Sequence, residues 1–225
     1  MVTKKGVTKR VVMTDFRNAK TKGVKAIILD EGDELVETLM VKGDDEVMFI
    51  TRSGKGLRTP VKDIRAMGRA THGVCAMKLI GDDEIVSAVK VEDDKTILLL
   101  TELGKGKRTE FSNFMPHARG TMGQRIYSLA DDDRVVGAVS VTENDDVILI
   151  TMMGQVLRVA VVNISNQGKN ASGVIVAKFK KKNDRINALD VTAHEEDVPE
   201  DEEAPDTAES EAAEAEESSE TPENE

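Results

Sequence analysis

Arg10, Arg58, Arg108 and Arg158 each stand four residues after a glycine (Gly6, Gly54, Gly104, Gly154), and each glycine stands three residues after a threonine (Thr3, Thr51, Thr101, Thr151). Further cations gather at the same places in each copy. Lys4, Lys5, Lys9, Arg52, Lys55, Lys105 and Lys107 lie on the glycine turn and the stretch leaving it. Lys20, Lys22, Arg65, Arg69, Arg119 and Lys169 lie in the stretch before a second glycine column, Gly23, Gly73, Gly123 and Gly173. Cations repeated at fixed spacing can neutralise a row of phosphates and release the counterions condensed on them. That chemistry binds a polyanion such as double-stranded DNA through its backbone, and no recognition helix or zinc finger is evident to read bases. The competing reading is that each arginine pairs with a local carboxylate on a solvated face.

Other reactive groups do not assemble. Tyr127, the only tyrosine, shares a column with Ile27, Met77 and Ala177, which marks it as a strand residue packing into the core and not as a nucleophile. His72, His117 and His194 lack cysteine or carboxylate partners at ligand spacing, so no metal site is expected. Gly54-Lys55-Gly56 and Gly104-Lys105-Gly106 stop short of any phosphate-loop pattern and read as hairpin turns. Serine, histidine and acid residues form no triad. The expectation is a non-enzymatic chain with no catalytic residue and no cofactor. Cys75 is the sole cysteine, which excludes an internal disulfide, fits a reducing compartment and is read as a small buried residue.

The elements that position these columns follow from the period. A repeat of about 50 residues means one supersecondary unit copied four times. In the copy covering residues 45–92, Glu46 to Arg52 reads as a strand, Gly54-Lys55-Gly56 as its turn and Leu57 to Val61 as a partner strand. Gly73 to Leu79 and Glu84 to Val91 supply two more, and Ile85 to Val91 alternates as a strand does. Four short strands per unit, with Asp/Gly turns and no helical period, predict an all-β, propeller-like stack of blades at about 1–42, 43–92, 93–142 and 143–192. Equivalent cations should then face one rim.

Charge divides by position. The whole chain carries −11, yet residues 195–225 hold sixteen Asp or Glu and no Lys or Arg, so residues 1–194 hold 31 basic and 42 − 16 = 26 acidic groups, a net of +5. Residues 193–225 are read as a disordered acidic tail, either a solubilising device or a mobile polyanion competing for the basic rim. No apolar run reaches a membrane span, and the basic start is followed by too short an apolar stretch for a signal peptide, so the chain reads as soluble and cytoplasmic.

Four segments carry a family resemblance: Thr3-Lys4-Lys5-Gly6, Leu29-Asp30-Glu31-Gly32-Asp33-Glu34-Leu35, Met67-Gly68-Arg69-Ala70-Thr71-His72-Gly73-Val74 and Gly104-Lys105-Gly106-Lys107-Arg108-Thr109. In their order and register they resemble the C-terminal repeats of bacterial DNA gyrase A, over roughly residues 2–192, with the topoisomerase IV domain as a close relative. The resemblance implies a β-pinwheel whose blades exchange a strand and whose basic rim bends DNA. It implies as partners the gyrase A core and gyrase B, which supplies ATP hydrolysis for negative supercoiling. Two departures stand out: the family's basic, glycine-rich heptapeptide is absent, and so is the breakage-reunion core with its Arg-Tyr pair. Because Met1-Val2 stands where the next copy has Asp44 to Ile50, the chain reads as the last four blades of a longer disc, an open arc with exposed edges. A propeller-like protein-interaction scaffold is the alternative from a different class.

Overall fold

Phe49 and Leu99 are wholly buried in the middle of runs, Val47-Met48-Phe49-Ile50 and Ile97-Leu98-Leu99-Leu100, in which every side chain is buried. Such runs belong to strands covered on both faces. The computed structural model, which describes residues 1–181 and 183–194, shows what covers them. Alternate side chains of a strand point to opposite faces. Val47 and Phe49 join a core with Val2, Leu57, Ile64 and Met77, while Met48 and Ile50 join a second core with Ile97, Leu99, Phe114 and Tyr127. Leu98 and Leu100 turn the other way, into a third core with Val147, Leu149 and Ile164. Each blade is thus a thin sheet pressed between neighbours, and the three cores lie between successive blades. Burying a side chain of this size contributes about 1.5–3 kcal/mol.

Fifteen strands build the blades: β1 (Val2–Thr3), β2 (Val7–Thr8), β3 (Leu35–Glu37), β4 (Glu46–Thr51), β5 (Lys55–Pro60), β6 (Val74–Cys75), β7 (Ile85–Lys90), β8 (Thr96–Thr101), β9 (Lys105–Glu110), β10 (Gln124–Arg125), β11 (Val135–Val141), β12 (Asp145–Thr151), β13 (Val156–Ala160), β14 (Val174–Ile175) and β15 (Ile186–Ala193). The all-β, propeller-like expectation holds. Short 3-10 turns follow each hairpin, and no α-helix occurs among the described residues.

Two local expectations are corrected. The hairpin turn is Arg52-Ser53-Gly54, with Gly54 left-handed at φ 76°, and Lys55 and Gly56 already belong to β5. Gly56 pairs with Ile50 and is glycine for lack of room: a Cβ there would lie 2.7 Å from Met48 Cε and 2.8 Å from Ile126 Cδ1. Cys75 is exposed, because it lies on β6 at the outer edge of a sheet.

The strand exchange that the resemblance implies is made by the short third strand of the repeat. The sheets run β3-β1-β2-β6, β7-β4-β5-β10, β11-β8-β9-β14 and β15-β12-β13, so the second, third and fourth repeats each hand their short third strand to the blade before. Three junctions use one register: Val74 with Thr8, Gln124 with Gly56, Val174 with Gly106. The second glycine column sits at these crossings. A Cβ on Gly123 or Gly173 would lie 2.6 or 2.7 Å from the carbonyl oxygen of Gly56 or Gly106, and both glycines are left-handed. β3, β7, β11 and β15 touch in succession along the inner side of the arc, so the exchanged strands mark its outer side. The acidic segment 195–225 lies outside the described residues.

A candidate nucleic-acid interface on the outer loops

The loop that leads into each exchanged strand is carried on the outer side and held by its neighbours. Arg65 is exposed there, as are Lys20 and Lys22 in the first repeat. Arg69 rests over the Phe16 ring, 5.9 Å from its centroid. Arg119 donates to the carbonyls of Asp63 (3.0 Å) and Cys75 (3.1 Å), and Lys169 donates to Gln124 Oε1 (3.0 Å). Among the described residues none of these six cations has a carboxylate partner within salt-bridge distance. Their charge is free to act on a ligand.

On the inner side the cations are matched. Lys4 reaches Glu84 (3.4 Å) and Glu34 (3.9 Å), Arg52 reaches Glu84 (3.4 Å) and Glu102 (2.7 Å), and Arg185 reaches Glu102 (3.7 Å). The result is an alternating ladder across the blades, interleaved with the backbone bonds Ile85 N–H to Lys4 O, Val135 N–H to Arg52 O and Ile186 N–H to Glu102 O.

The arginine column occupies a third environment. Arg58 Nε donates to Glu46 (2.6 Å) and its Nη1 to Phe111 O (2.8 Å); buried Arg108 donates to Ile164 O (2.6 Å) and Glu143 (3.1 Å); Arg158 donates to Asp146 (2.6 Å). The carbonyls of Arg10, Arg58 and Arg108 accept from Met67, His117 and Gln167 of the next repeat. This column clamps the 3-10 turn and loop that follow. Arg10 Nε is buried without a partner among the described residues.

Lys9 and Lys107, three residues after their glycines, are buried. The Lys107 ammonium donates to Gly168 O and Lys169 O (2.8 Å each) and lies 5.1 Å from the centroid of the Tyr127 ring. Lys9 does the same for its own junction, donating to the carbonyls of Ala26, Arg69 and Thr71. Burial pushes both amines down, Lys107 to about 8, and pushes the Tyr127 hydroxyl up. Of the remaining expected residues, Lys5 is exposed and donates to Glu31 O (2.6 Å). Lys55 and Lys105 are half-buried on the strands that receive β10 and β14.

Sequence reasoning missed Arg125, which is exposed and pairs with Lys55 across the exchange, and exposed Lys25 and Lys78. The column Lys25, Cys75, Arg125, Ile175 is basic in only two copies, so no repeated signal marks it. His72 lies 3.0 Å from Asp30, and His194 hydrogen-bonds Asp146 at 2.8 Å. No cluster of metal-ligating groups occurs among the described residues, and no helix there is long and apolar enough to cross a membrane.

Strand exchange between stacked blades, a matched inner ladder and unmatched outer cations define a propeller-like repeat domain of the pinwheel kind. The chain belongs to the family described as DNA gyrase C-terminal domain, beta-propeller, whose model matches residues 1–42, 45–92, 95–142 and 145–193. It is 49% identical over 69 residues to the DNA gyrase A protein of Treponema pallidum (strain Nichols) and 42% identical over 71 residues to that of Chlamydia trachomatis serovar D; each match covers 31% of this chain and 8% of the relative. Among solved structures it resembles a DNA gyrase A C-terminal domain (TM-score 0.75, 30% identity, 84% of this chain and 63% of that one). It shares its fold with the C-terminal domain of DNA topoisomerase IV (TM-score 0.79, 22% identity, 85% and 60%). The chain therefore spans a small part of the gyrase A relatives and less than two thirds of either solved domain.

Proposed function

We propose that the chain is a non-catalytic module of a cytoplasmic type II topoisomerase, of the gyrase A kind, that binds double-stranded DNA and wraps it along the outer loops. The observation that carries this reading is the asymmetry of charge pairing: Arg65, Arg69, Arg119 and Lys169 face outward without carboxylates, whereas Lys4 and Arg52 are neutralised by Glu84 and Glu102. Phosphates replace the missing anions, and because the described residues hold no α-helix to serve for recognition, binding is indifferent to sequence. Stepping from blade to blade bends the duplex, and the bent segment is presented to a breakage-reunion core while gyrase B hydrolyses ATP. Within this scheme Lys9, Lys107, Arg58 and Arg108 hold the loops and the exposed cations touch DNA.

The test is to ligate nicked circular DNA with increasing amounts of the protein, remove the protein and resolve the topoisomers. A progressive change in linking number is the expected outcome and gives the sign of the wrap. Binding without a shift refutes wrapping, and affinity that barely responds to salt supports a protein-interaction scaffold instead.

A further inference from the structure

Each outer loop is tied by one recurring bond to the segment after the second glycine column of the repeat before it: Ile28 N–H to Thr71 O (3.1 Å), Lys78 N–H to Thr121 O (2.9 Å), Ser128 N–H to Ala171 O (3.2 Å). A second fastening lies beneath two of the three loops. Lys9 donates to the loop carbonyls of Arg69 and Thr71, and Lys107 to those of Gly168 and Lys169. That column reads Lys9, Leu57, Lys107, Leu157, so the loop of the third repeat meets Leu57, which is 1% exposed and has no donor to offer.

This middle loop is fastened from outside instead. Arg119 donates from Nε to Asp63 O (3.0 Å) and from Nη1 to Cys75 O (3.1 Å), and the next residue adds Gly120 N–H to Ala76 O (2.7 Å). The bonds join the loop to the 3-10 turn that ends at Asp63 and to the exchanged strand β6. Gly120 is left-handed at φ 77°, whereas Ala70 and Asn170 in its column are not. The counterparts of Arg119 do otherwise: Arg69 lies over Phe16, and Lys169 reaches the side chain of Gln124. A guanidinium holds its N–H groups in a planar fork. In Arg119 the backbone takes Nε and one N–H of Nη1, which leaves Nη2 for an anion.

We infer that Arg119 is a positioning residue as well as a phosphate contact: it takes the place of the buried ammonium that the second blade lacks and holds the loop of the third repeat on β6, so that a phosphate at Nη2 tightens the strand exchange beneath it. The ligand in this inference rests on the DNA-binding reading; the fastening does not. A phosphate on the outer side of the fork fixes the guanidinium plane and keeps Nε and Nη1 aimed at the two carbonyls. The coupling is reciprocal, so a firmly held β6 favours phosphate at Arg119. Lysine in its place keeps the charge but has no fork with which to serve both sides.

Hydrogen exchange of the full chain, followed by mass spectrometry with and without a saturating duplex of scrambled sequence, tests this. In the free chain Arg119→Lys should speed exchange of residues 74–78 several-fold, while residues 124–128, at the next junction, keep the rate of the parent. With duplex bound, residues 74–78 of the parent should slow several-fold more than those of Arg119→Lys, whereas simple coverage by DNA would slow both alike. Equal exchange of residues 74–78 in the two free chains overturns the fastening, and equal slowing by duplex overturns the coupling; the inference falls in either case. A parent chain that binds no duplex refutes the DNA-binding reading and the coupling with it, and anisotropy on the same samples separates that failure from binding with equal protection.

Discussion

Removing charge from the outer loops and removing it from the hairpin arginines have opposite signatures. One variant carries Arg65→Gln, Arg69→Gln, Arg119→Gln and Lys169→Gln; the other carries Arg58→Gln, Arg108→Gln and Arg158→Gln. If each loop cation neutralises one phosphate, the first variant loses about 4 × 0.9, or about 3.6, from the slope of log affinity against log salt. Doubling the salt then costs the parent about twelvefold more affinity than the variant. The second variant removes groups that satisfy Glu46, Phe111 O and Ile164 O. Stranding the two carbonyls of buried Phe111 and Ile164 costs about 1–3 kcal/mol of stability each and leaves the salt slope as it was. Fluorescence anisotropy with a duplex of scrambled sequence across a salt series reads the slope, and thermal unfolding followed by circular dichroism reads the stability. The reasoning is refuted if the hairpin variant lowers the slope as much as the loop variant does, or if the loop variant leaves it unchanged.

Gly123→Ala forces a left-handed residue to carry a Cβ and drives that Cβ to 2.6 Å from Gly56 O, so it should destabilise the fold by at least about 1–2 kcal/mol, read as a fall in the urea midpoint. Lys107 has a folded pKa of about 8, below the ordinary lysine value, so between pH 8 and pH 10 the unfolded chain holds the proton more tightly. The parent should therefore gain stability relative to Lys107→Met as pH rises through that window; Tyr127, whose hydroxyl is raised, opposes the trend only above it. Burial alone would raise Asp146, but the hydrogen bonds from His194 and Arg158 outweigh it and lower its carboxyl. Its contribution should be complete above about pH 4 and disappear as pH falls below that, so acid melts of Asp146→Asn and the parent converge at low pH. Deleting residues 195–225 should tighten DNA binding at low salt if that segment competes for the loops, and an unchanged affinity would rule out the competition.

The repeat, the all-β architecture and the glycine columns were legible because each is a local pattern copied four times. The exchange was legible only through the family resemblance and not from the residues of any one repeat. Val74-Cys75 is apolar and flanked by turn residues whichever hairpin it joins, and its register with Thr8 spans a sequence separation that no local pattern encodes. The basic columns were legible as positions but not as environments. Arg58 and Arg69 look alike in sequence; one is bound to a carboxylate twelve residues earlier, and the other lies over Phe16. Lys107 reads as a surface cation until the carbonyls of Gly168 and Lys169, sixty residues on, close over it. Exposed Cys75 failed for a related reason, since a small apolar residue suits an outer edge strand as well as a core.

Handing a strand backwards also sets an order of events during synthesis. The first blade cannot be finished when its own repeat has emerged from the ribosome, because Thr8 must wait for Val74, 66 residues later. At about 5–20 residues per second the wait is about 3–13 s, and it recurs at each junction. Throughout that interval the nascent chain carries one bare β-edge, passed from blade to blade as each is completed, so polysomes hold neighbouring chains with bare edges exposed at the same moment.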